Sequence, residues 1–278
     1  MTRSFQRWAR PGVLYALVLL FLLWTVAPVL WIATMSVQPE INYVSVPPRL
    51  SVADVSLRWY GEMLAQPDFV ASLRTSAVVS FVTMVCCLVF GALAAYPLSR
   101  LKVPHKNAFL VFSVVSRMIP AIILIIPMFL LMRSLKLLDT YGGLIIVYTA
   151  FLLPYVIWML KNFFDQIPYA LEAAARMDGC SRLGALFRVI IPVSAPGVVA
   201  TAIFAFIGAW NEFLFGLILS TNKAVPVMVK LSSLVSTTFH SDNSLVAAAG
   251  MLAMLPVVAV VFVLNRYIIR GLVEGVKY

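Results

Sequence analysis

The chain has 278 residues, of which 62% are hydrophobic and only 12% are charged. Because soluble domains carry about 25% charged residues, this composition excludes a water-soluble globule and a disordered chain. The net charge of +10 does not indicate nucleic-acid binding, because the basic residues are scattered in short segments beside apolar runs. The three cysteines, two of them adjacent, do not indicate a disulfide framework.

Six apolar segments are long enough to cross a bilayer as helices, since about 17 residues suffice at 1.5 Å per residue. They comprise residues 13–37, 71–98, 108–132, 142–160, 196–219 and 245–269. The alternating pattern of an outer-membrane barrel is missing, so we predict an all-α integral membrane fold with six transmembrane helices. Basic residues precede the first segment, but its length and the lack of a cleavage site predict an uncleaved helix rather than a signal peptide.

The lysines and arginines are distributed unevenly between the two sides of these segments. Thirteen of the 21 fall on the side of the amino terminus and seven on the opposite side, where Arg74 and Arg266 are counted with the segment ends they lie near. The last, Arg117, lies deep within a segment. Because cytoplasmic loops are enriched in Lys and Arg, this distribution predicts that both termini are cytoplasmic.

The connection formed by residues 162–195 is too long for a simple turn between antiparallel helices, where 2–8 residues suffice. Residues 169–178 are helix formers, and Gly179 suits a helix end. A second short helix over 182–190 would end at Pro192. The sequence therefore predicts two short helices outside the membrane, which serve either as a docking surface or as an amphipathic hairpin on lipid.

The same connection carries a recognisable motif. Glu172-Ala173-Ala174 precedes Asp178-Gly179, and nine residues later comes Val-Ile-Ile-Pro, which ends at Pro192. This spacing resembles the EAA loop of bacterial ABC importer permeases, in which E-A-A, D-G and I-x-L-P occur at the same intervals. Residues 162–195 are therefore called the EAA segment.

Other segments extend the resemblance over nearly the whole chain. The sequence Ala209-Trp210-Asn211-Glu212-Phe213 resembles the A-W-N-E/D-F/L signature of the carbohydrate-uptake branch. Residues 27–31, 118–120 and 271–277 are similar to the maltose-permease G-type subunit. One departure is Thr75-Ser76, where the family usually has N-S.

The resemblance implies a type I ABC importer permease fold in a bacterial plasma (inner) membrane. It divides the chain into residues 1–70 (amino-terminal tail, first helix and first extracytoplasmic loop), a transmembrane domain over 71–270 and a cytoplasmic tail over 271–278. It implies as partners a second, dissimilar permease subunit, two ATP-binding subunits, an extracytoplasmic sugar-binding protein and membrane lipid. ATP and Mg would bind to the ATPase, and this chain would hold no cofactor.

The resemblance also assigns roles to residues. The EAA segment would form a cytoplasmic coupling helix, between the fourth and fifth spans, in a cleft of the ATPase. Glu172 would meet a basic residue there, small side chains would permit close approach, and Gly179 would permit the bend. The coupling residues are Glu172, Ala173, Ala174, Asp178, Gly179 and Pro192. Residues 274–278 would also reach the ATPase, and the outer loop 220–244 matches one that contacts the binding protein.

Two charged residues, Arg117 and Glu212, lie deep within predicted spans, where each would cost about 3 kcal/mol at a helix centre. Each should therefore face a cavity or a partner. One interpretation places both, with Asn211, on the translocation pathway. The other is a structural ion pair between the third and fifth helices.

Three alternative functions remain open from the sequence. A secondary transporter would use Glu212 as a proton carrier, but no inverted repeat is evident and the EAA segment would have no purpose. An ABC permease for another solute, such as a glycerol-phosphate-type compound, shares the same motifs. A membrane-embedded enzyme would need a reactive cluster; the chain has no phosphate-binding loop, and its two histidines are isolated. We therefore expect a transport subunit without a catalytic site.

Overall fold

The computed structural model describes the backbone of residues 2–237 and 243–274, and the side chains of residues 13–264 apart from 114, 117 and 236–242. Every regular element within these ranges is a helix and no strand occurs there, which confirms the all-α prediction. The expectations for the Arg117 side chain and for residues 275–278 lie outside the described residues.

The described helices, in chain order, are α1 (Thr2–Met35), α2 (Glu40–Val44), α3 (Arg58–Leu64), α4 (Pro67–Arg100), α5 (Lys106–Val115), α6 (Ala121–Ser134), α7 (Tyr141–Asp165), α8 (Tyr169–Met177), α9 (Arg182–Ala185), α10 (Ile191–Val193), α11 (Ala195–Trp210), α12 (Leu214–Leu219), α13 (Val227–Thr237) and α14 (Asn243–Glu274). Short 3₁₀ turns occur at Val52–Asp54 and Ser116–Met118, and a π-helical turn, Leu186–Ile190, joins α9 to α10.

Four of the described helices are long and apolar enough to cross a membrane. They are Val13–Met35 within α1, all of α4, all of α7, and Asn243–Leu264 within α14. The helices Arg182–Val193 and Ala195–Trp210 also pass this test of length and composition when taken together, but they are bent by 85° relative to each other. The first, second, fourth and sixth predicted segments therefore correspond to helices of spanning length.

The third predicted segment, residues 108–132, is not one helix, and that prediction was wrong. Helix α5 ends at Val115, a 3₁₀ turn follows, and Ile119 is extended before Pro120. A proline lacks the N–H of a continuing helix and disfavours helical geometry in the residue before it. The segment is thus split into α5 and the 14-residue α6.

The fifth predicted segment, residues 196–219, is also interrupted. Helix α11 ends at Trp210, and α12 begins at Leu214. The Glu212 carboxylate accepts a hydrogen bond from the Phe215 N–H at 2.9 Å, so this side chain satisfies a backbone donor at the start of α12. Hydropathy did not reveal the break because the residues on either side are apolar.

The chain forms two compact units, the first of which comprises residues 1–67 and 233–252. Within it, hydrogen bonds join the start of α14 to the segment that follows α1. The Ser244 hydroxyl donates to the Gln38 carbonyl at 2.7 Å and lies 3.0 Å from the Tyr43 hydroxyl. The Asn243 side chain donates to Glu40 at 2.6 Å. These contacts fix where the last long helix begins.

The second unit comprises residues 68–232 and 253–278. Its described core is built from α4, α7 and α11, which approach one another closely at glycines. A Cβ atom at Gly197 would lie 2.2 Å from the Phe163 ring, and one at Gly91 would lie 2.7 Å from Val156. Small residues at such contacts permit the close packing that holds helices together in lipid.

The start of α7 allows a matched test of this packing. A Cβ at Gly143 would lie 2.2 Å from the Leu137 carbonyl oxygen, whereas one at Gly142 would meet no atom within 4 Å. We expect Gly143→Ala to lower the melting temperature of the detergent-purified protein, because overpacking costs about 1–3 kcal/mol. Gly142→Ala should leave the melting temperature unchanged or higher. Equal melting temperatures of the two variants would contradict this account.

Candidate coupling and translocation sites

The first helix of the EAA segment, α8, ends in a glycine-dependent turn. Gly179 has a φ of +88°, which side-chain-bearing residues rarely adopt. Its N–H donates to the Arg176 carbonyl at 3.1 Å, and the Cys180 N–H donates to the Ala175 carbonyl at 3.0 Å. This pair of bonds is a Schellman motif, which closes the helix and fixes the direction of the chain beyond it. The bend therefore lies at Gly179, as the sequence predicts.

The second part of the EAA segment is longer than predicted. The Ser181 hydroxyl caps α9 by accepting from the Gly184 N–H at 3.1 Å. The helical path then continues through the π-helical turn and past Pro192 to Val193, so the prediction that Pro192 ends it was wrong. Pro192 is the second residue of α10 and directly follows the π-helical turn and Ile191.

The Glu172 carboxylate points into the protein. The residue is 8% exposed, and its Oε1 accepts a hydrogen bond from the Tyr96 hydroxyl at 2.6 Å. The Arg100 Nε lies 3.4 Å from Oε2, which is an ion-pair distance without hydrogen-bond geometry. The sequence indicated neither Tyr96 nor Arg100, because nothing in a linear pattern pairs the end of the second span with a glutamate more than 70 residues later.

The other residues of the motif lie on the surface. Ala173 and Ala174 are exposed on α8, and Asp178 and Gly179 are exposed at its end. Met177, beside them, is 88% exposed. Small and flexible apolar side chains allow the backbone of another protein to approach closely. These five residues, Ala173, Ala174, Met177, Asp178 and Gly179, are called the coupling face.

The second group of predicted residues lies at the break between α11 and α12. Trp210 is 1% exposed, and its ring stacks on Phe206 with centroids 5.7 Å apart. Asn211 is exposed, and Glu212 is partly buried with its carboxylate on the Phe215 N–H. The pairing of Glu212 with Arg117 stays a prediction.

Glu212 also lines a cavity of about 110 Å³ within the second unit. Its walls are formed by Tyr148, Phe151, Leu152, Phe204, Gly208, Glu212 and Phe215. The Tyr148 hydroxyl is buried and has no hydrogen-bond partner in the part of the chain that the structure describes. A carboxylate and a free hydroxyl among aromatic rings offer both apolar and hydrogen-bonding contacts, although the cavity is smaller than the roughly 300 Å³ of a typical small-molecule site.

An aspartate organises the loop that follows α12. The Asp139 carboxylate accepts hydrogen bonds of 3.0–3.2 Å from the backbone N–H groups of Thr221, Asn222, Lys223 and Ala224. Burial alone would raise the pKa of Asp139, but these four donors outweigh it and hold the pKa below its usual value. No local sequence pattern indicates this role of Asp139, because its partners lie more than 80 residues away.

We expect Asp139→Asn to release this loop, since an amide nitrogen would face backbone donors. Trypsin should then cleave faster after Lys223, while Asp68→Asn, which removes an 83% exposed carboxylate 3.4 Å from Lys230, should leave that rate unchanged.

The pH dependence of this loop follows from the lowered pKa of Asp139 in the folded protein. Because that pKa is lowered, the ionised carboxylate stabilises the fold fully above about pH 3.9, the unfolded pKa. The stabilisation is lost only as the pH falls through the lower pKa of the folded state. The wild-type loop should therefore stay in place at about pH 5. Unchanged cleavage of the Asp139→Asn protein would argue against this role.

Together with the helices of spanning length, these features are those of a helical membrane protein. Residues 87–274 match the family described as binding-protein-dependent transport system inner membrane component, and the chain belongs to that family. No group of three His, Cys, Asp or Glu side chains that could hold a metal occurs among the described residues.

Several known proteins are similar over almost the whole length. The trehalose transport system permease protein SugB of Mycobacterium tuberculosis is 35% identical over 250 residues, covering 89% of this chain and 90% of that protein. The trehalose/maltose transport system permease protein MalG of Thermococcus litoralis is 30% identical over 269 residues, covering 95% and 93% respectively.

A solved structure shares the fold. The crystal structure of a bacterial ABC transporter involved in the import of the acidic polysaccharide alginate aligns with a TM-score of 0.79 and 25% identity, over 96% of this chain and 98% of that chain. The resemblance to ABC importer permeases that the motifs indicated is thereby confirmed.

Proposed function

We propose that this chain is one of two permease subunits of an ATP-driven importer, and that its solute is a sugar delivered by an extracytoplasmic binding protein. The observation that carries the proposal is the EAA segment, where the turn at Gly179 closes α8 and the coupling face is exposed. The sugar is supported by the two relatives named for trehalose and maltose transport.

The proposed mechanism is alternating access. ATP and Mg bind to two partner ATPase subunits, whose closure moves the coupling face as a rigid body and swings the attached spans. The permease needs no catalytic group of its own for this step. Ala173 and Ala174 let the ATPase approach α8, and Gly179 holds the angle between α8 and α9.

The proposed topology has six crossings and both termini in the cytoplasm. The interrupted pairs α5 with α6 and α11 with α12 each make one crossing, and α1, α4, α7 and α14 make the other four. The excess of Lys and Arg on the side of the amino terminus supports this orientation. The EAA segment is then cytoplasmic, and the loop held by Asp139 is extracytoplasmic, where the binding protein docks.

The proposed pathway passes the break between α11 and α12. Asn211 is exposed there, and Glu212 faces the cavity with Tyr148. These groups can accept and donate hydrogen bonds to sugar hydroxyls as the solute passes. An acidic sugar derivative is the second candidate solute, because the structural relative imports an acidic polysaccharide.

Co-purification followed by reconstitution tests the proposal. The tagged chain should bring with it an ATPase and a second permease subunit. When the chain and these partner subunits are reconstituted in proteoliposomes, the vesicles should take up a radiolabelled neutral disaccharide only if both ATP and the binding protein are present. Uptake driven by a proton gradient without ATP would overturn the proposal, and uptake of a uronate oligosaccharide alone would favour the acidic solute.

A further inference from the structure

Arg100, the last residue of α4, carries a buried positive charge. Its side chain is only 1% exposed. Burying a guanidinium is costly unless its donors are hydrogen-bonded and its charge is paired. The contacts of Arg100 therefore show which part of the fold the buried guanidinium stabilises.

Those partners all lie at the junction between α7 and α8. The Arg100 Nη2 donates to the carbonyls of Phe164 at 2.8 Å and Ile167 at 2.9 Å. Its guanidinium lies 4.5 Å from the centre of the Tyr169 ring, and its Nε lies 3.4 Å from Glu172. A single side chain thus contacts the end of α7, the connection after it and the first turn of α8.

Neighbouring residues of α4 add to the same junction. The Tyr96 hydroxyl donates to Glu172 at 2.6 Å, and the Ser99 hydroxyl donates to Asp165 at 2.6 Å. The Tyr169 hydroxyl donates to the Ser99 carbonyl at 3.1 Å. Every one of these bonds joins α4 to the junction, although α4 is remote from it in sequence.

The other end of α4 contacts the segment that follows the Asp139-bound loop. The Ser76 hydroxyl accepts a hydrogen bond from the Val227 N–H, the first residue of α13, at 2.8 Å. At 1.5 Å per residue, Ser76 and Arg100 are about 36 Å apart along one helix. Helix α4 therefore contacts the EAA segment at one end and the region around the outer loop at the other.

We propose that Arg100 is a positioning residue that locks α8 onto α4, so that movement of the coupling face is transmitted along α4. Glu172 acts within this chain as the partner of Arg100 and Tyr96. The proposal rests on the proposed function, because it names the span that receives the movement. The proposal predicts that the charges of Arg100 and Glu172 act as one unit.

A double-mutant cycle tests this unit in the complete transporter. Arg100→Gln and Glu172→Gln should each lower uptake and ATPase stimulation by the binding protein about tenfold, while the ATPase still co-purifies. The double variant should be no worse than either single variant, since the pair is already broken. Lys102→Gln, which removes an exposed charge two residues away, should transport normally.

A distance measurement separates positioning from general damage. Spin labels at the exposed positions Leu93 of α4 and Ala170 of α8, in a variant lacking native cysteines, should give a narrow distance distribution that stays narrow when ATP binds. Arg100→Gln should broaden that distribution, and Arg100→Lys should restore it in part.

These experiments distinguish failure of the proposed role of Arg100 from failure of the proposed function. Additive losses in the cycle, an unbroadened distance in Arg100→Gln, or loss of ATPase co-purification specific to Glu172→Gln would overturn the role of Arg100. Absence of any ATPase with the wild-type chain would overturn the proposed function itself.

Discussion

Gly179→Pro should produce a protein that inserts into the membrane and binds its partners but transports at least about tenfold more slowly. The φ of Gly179 is +88°, whereas proline is fixed near −65°. Proline would also remove the N–H that bonds the Arg176 carbonyl. The Schellman turn must then open, so the coupling face loses its fixed angle to α9. The measurement is uptake per ATP hydrolysed in proteoliposomes.

A graded series at the same position isolates the backbone effect. Asparagine tolerates positive φ better than other residues with side chains, so Gly179→Asn should retain most of the coupling. Gly179→Val should resemble the proline variant, because a β-branched residue is strained there. A proline variant with normal coupling would show that the angle at Gly179 does not matter for transport.

Replacement of Glu212 should have the second large effect, and it separates two roles. Glu212→Gln keeps an acceptor for the Phe215 N–H, so the start of α12 and the melting temperature should be preserved. Glu212→Ala removes this cap, which should cost about 0.5–2 kcal/mol and lower the melting temperature. If the carboxylate acts on the pathway, both variants should lose most of their uptake.

The comparison between these variants is decisive. Normal uptake by Glu212→Gln with a stability loss confined to Glu212→Ala would make Glu212 a structural residue. Normal uptake by Glu212→Ala would remove it from the pathway altogether. Tyr148→Phe is a useful companion, because it deletes the buried hydroxyl of the same cavity without changing the ring.

Hydropathy predicted four of the spans well but misread two others. The segments in α1, α4, α7 and α14 form continuous helices. This holds although Pro97, Pro154 and Pro256 lie inside α4, α7 and α14. Pro120 ends the extended stretch inside the third segment, and Glu212 caps a new helix inside the fifth. Both breaks arise from single residues whose weight in an average over about 20 positions is small.

The motif residues likewise divide into features that the sequence predicted and features that it did not predict. The bend at Gly179 was predictable, because a helix end needs a residue that accepts positive φ. The inward direction of Glu172 was not predictable. Arg176 lies four residues further along the same helix, at a spacing that suits an ion pair, but in the structure the ion-pair partner of Glu172 is Arg100. Asp139 and the loop after α12 make the same point, because their bonds join residues more than 80 positions apart.

By itself, the sequence determined that this chain is an apolar helical membrane protein with an EAA segment, because both features depend on local composition and short fixed spacings. Only the tertiary structure decided which buried charges are paired, where the helices break and that α4 holds α8. Such contacts depend on which helix ends meet in space, and the cost of burying an unpaired charge then selects among the arrangements that packing allows.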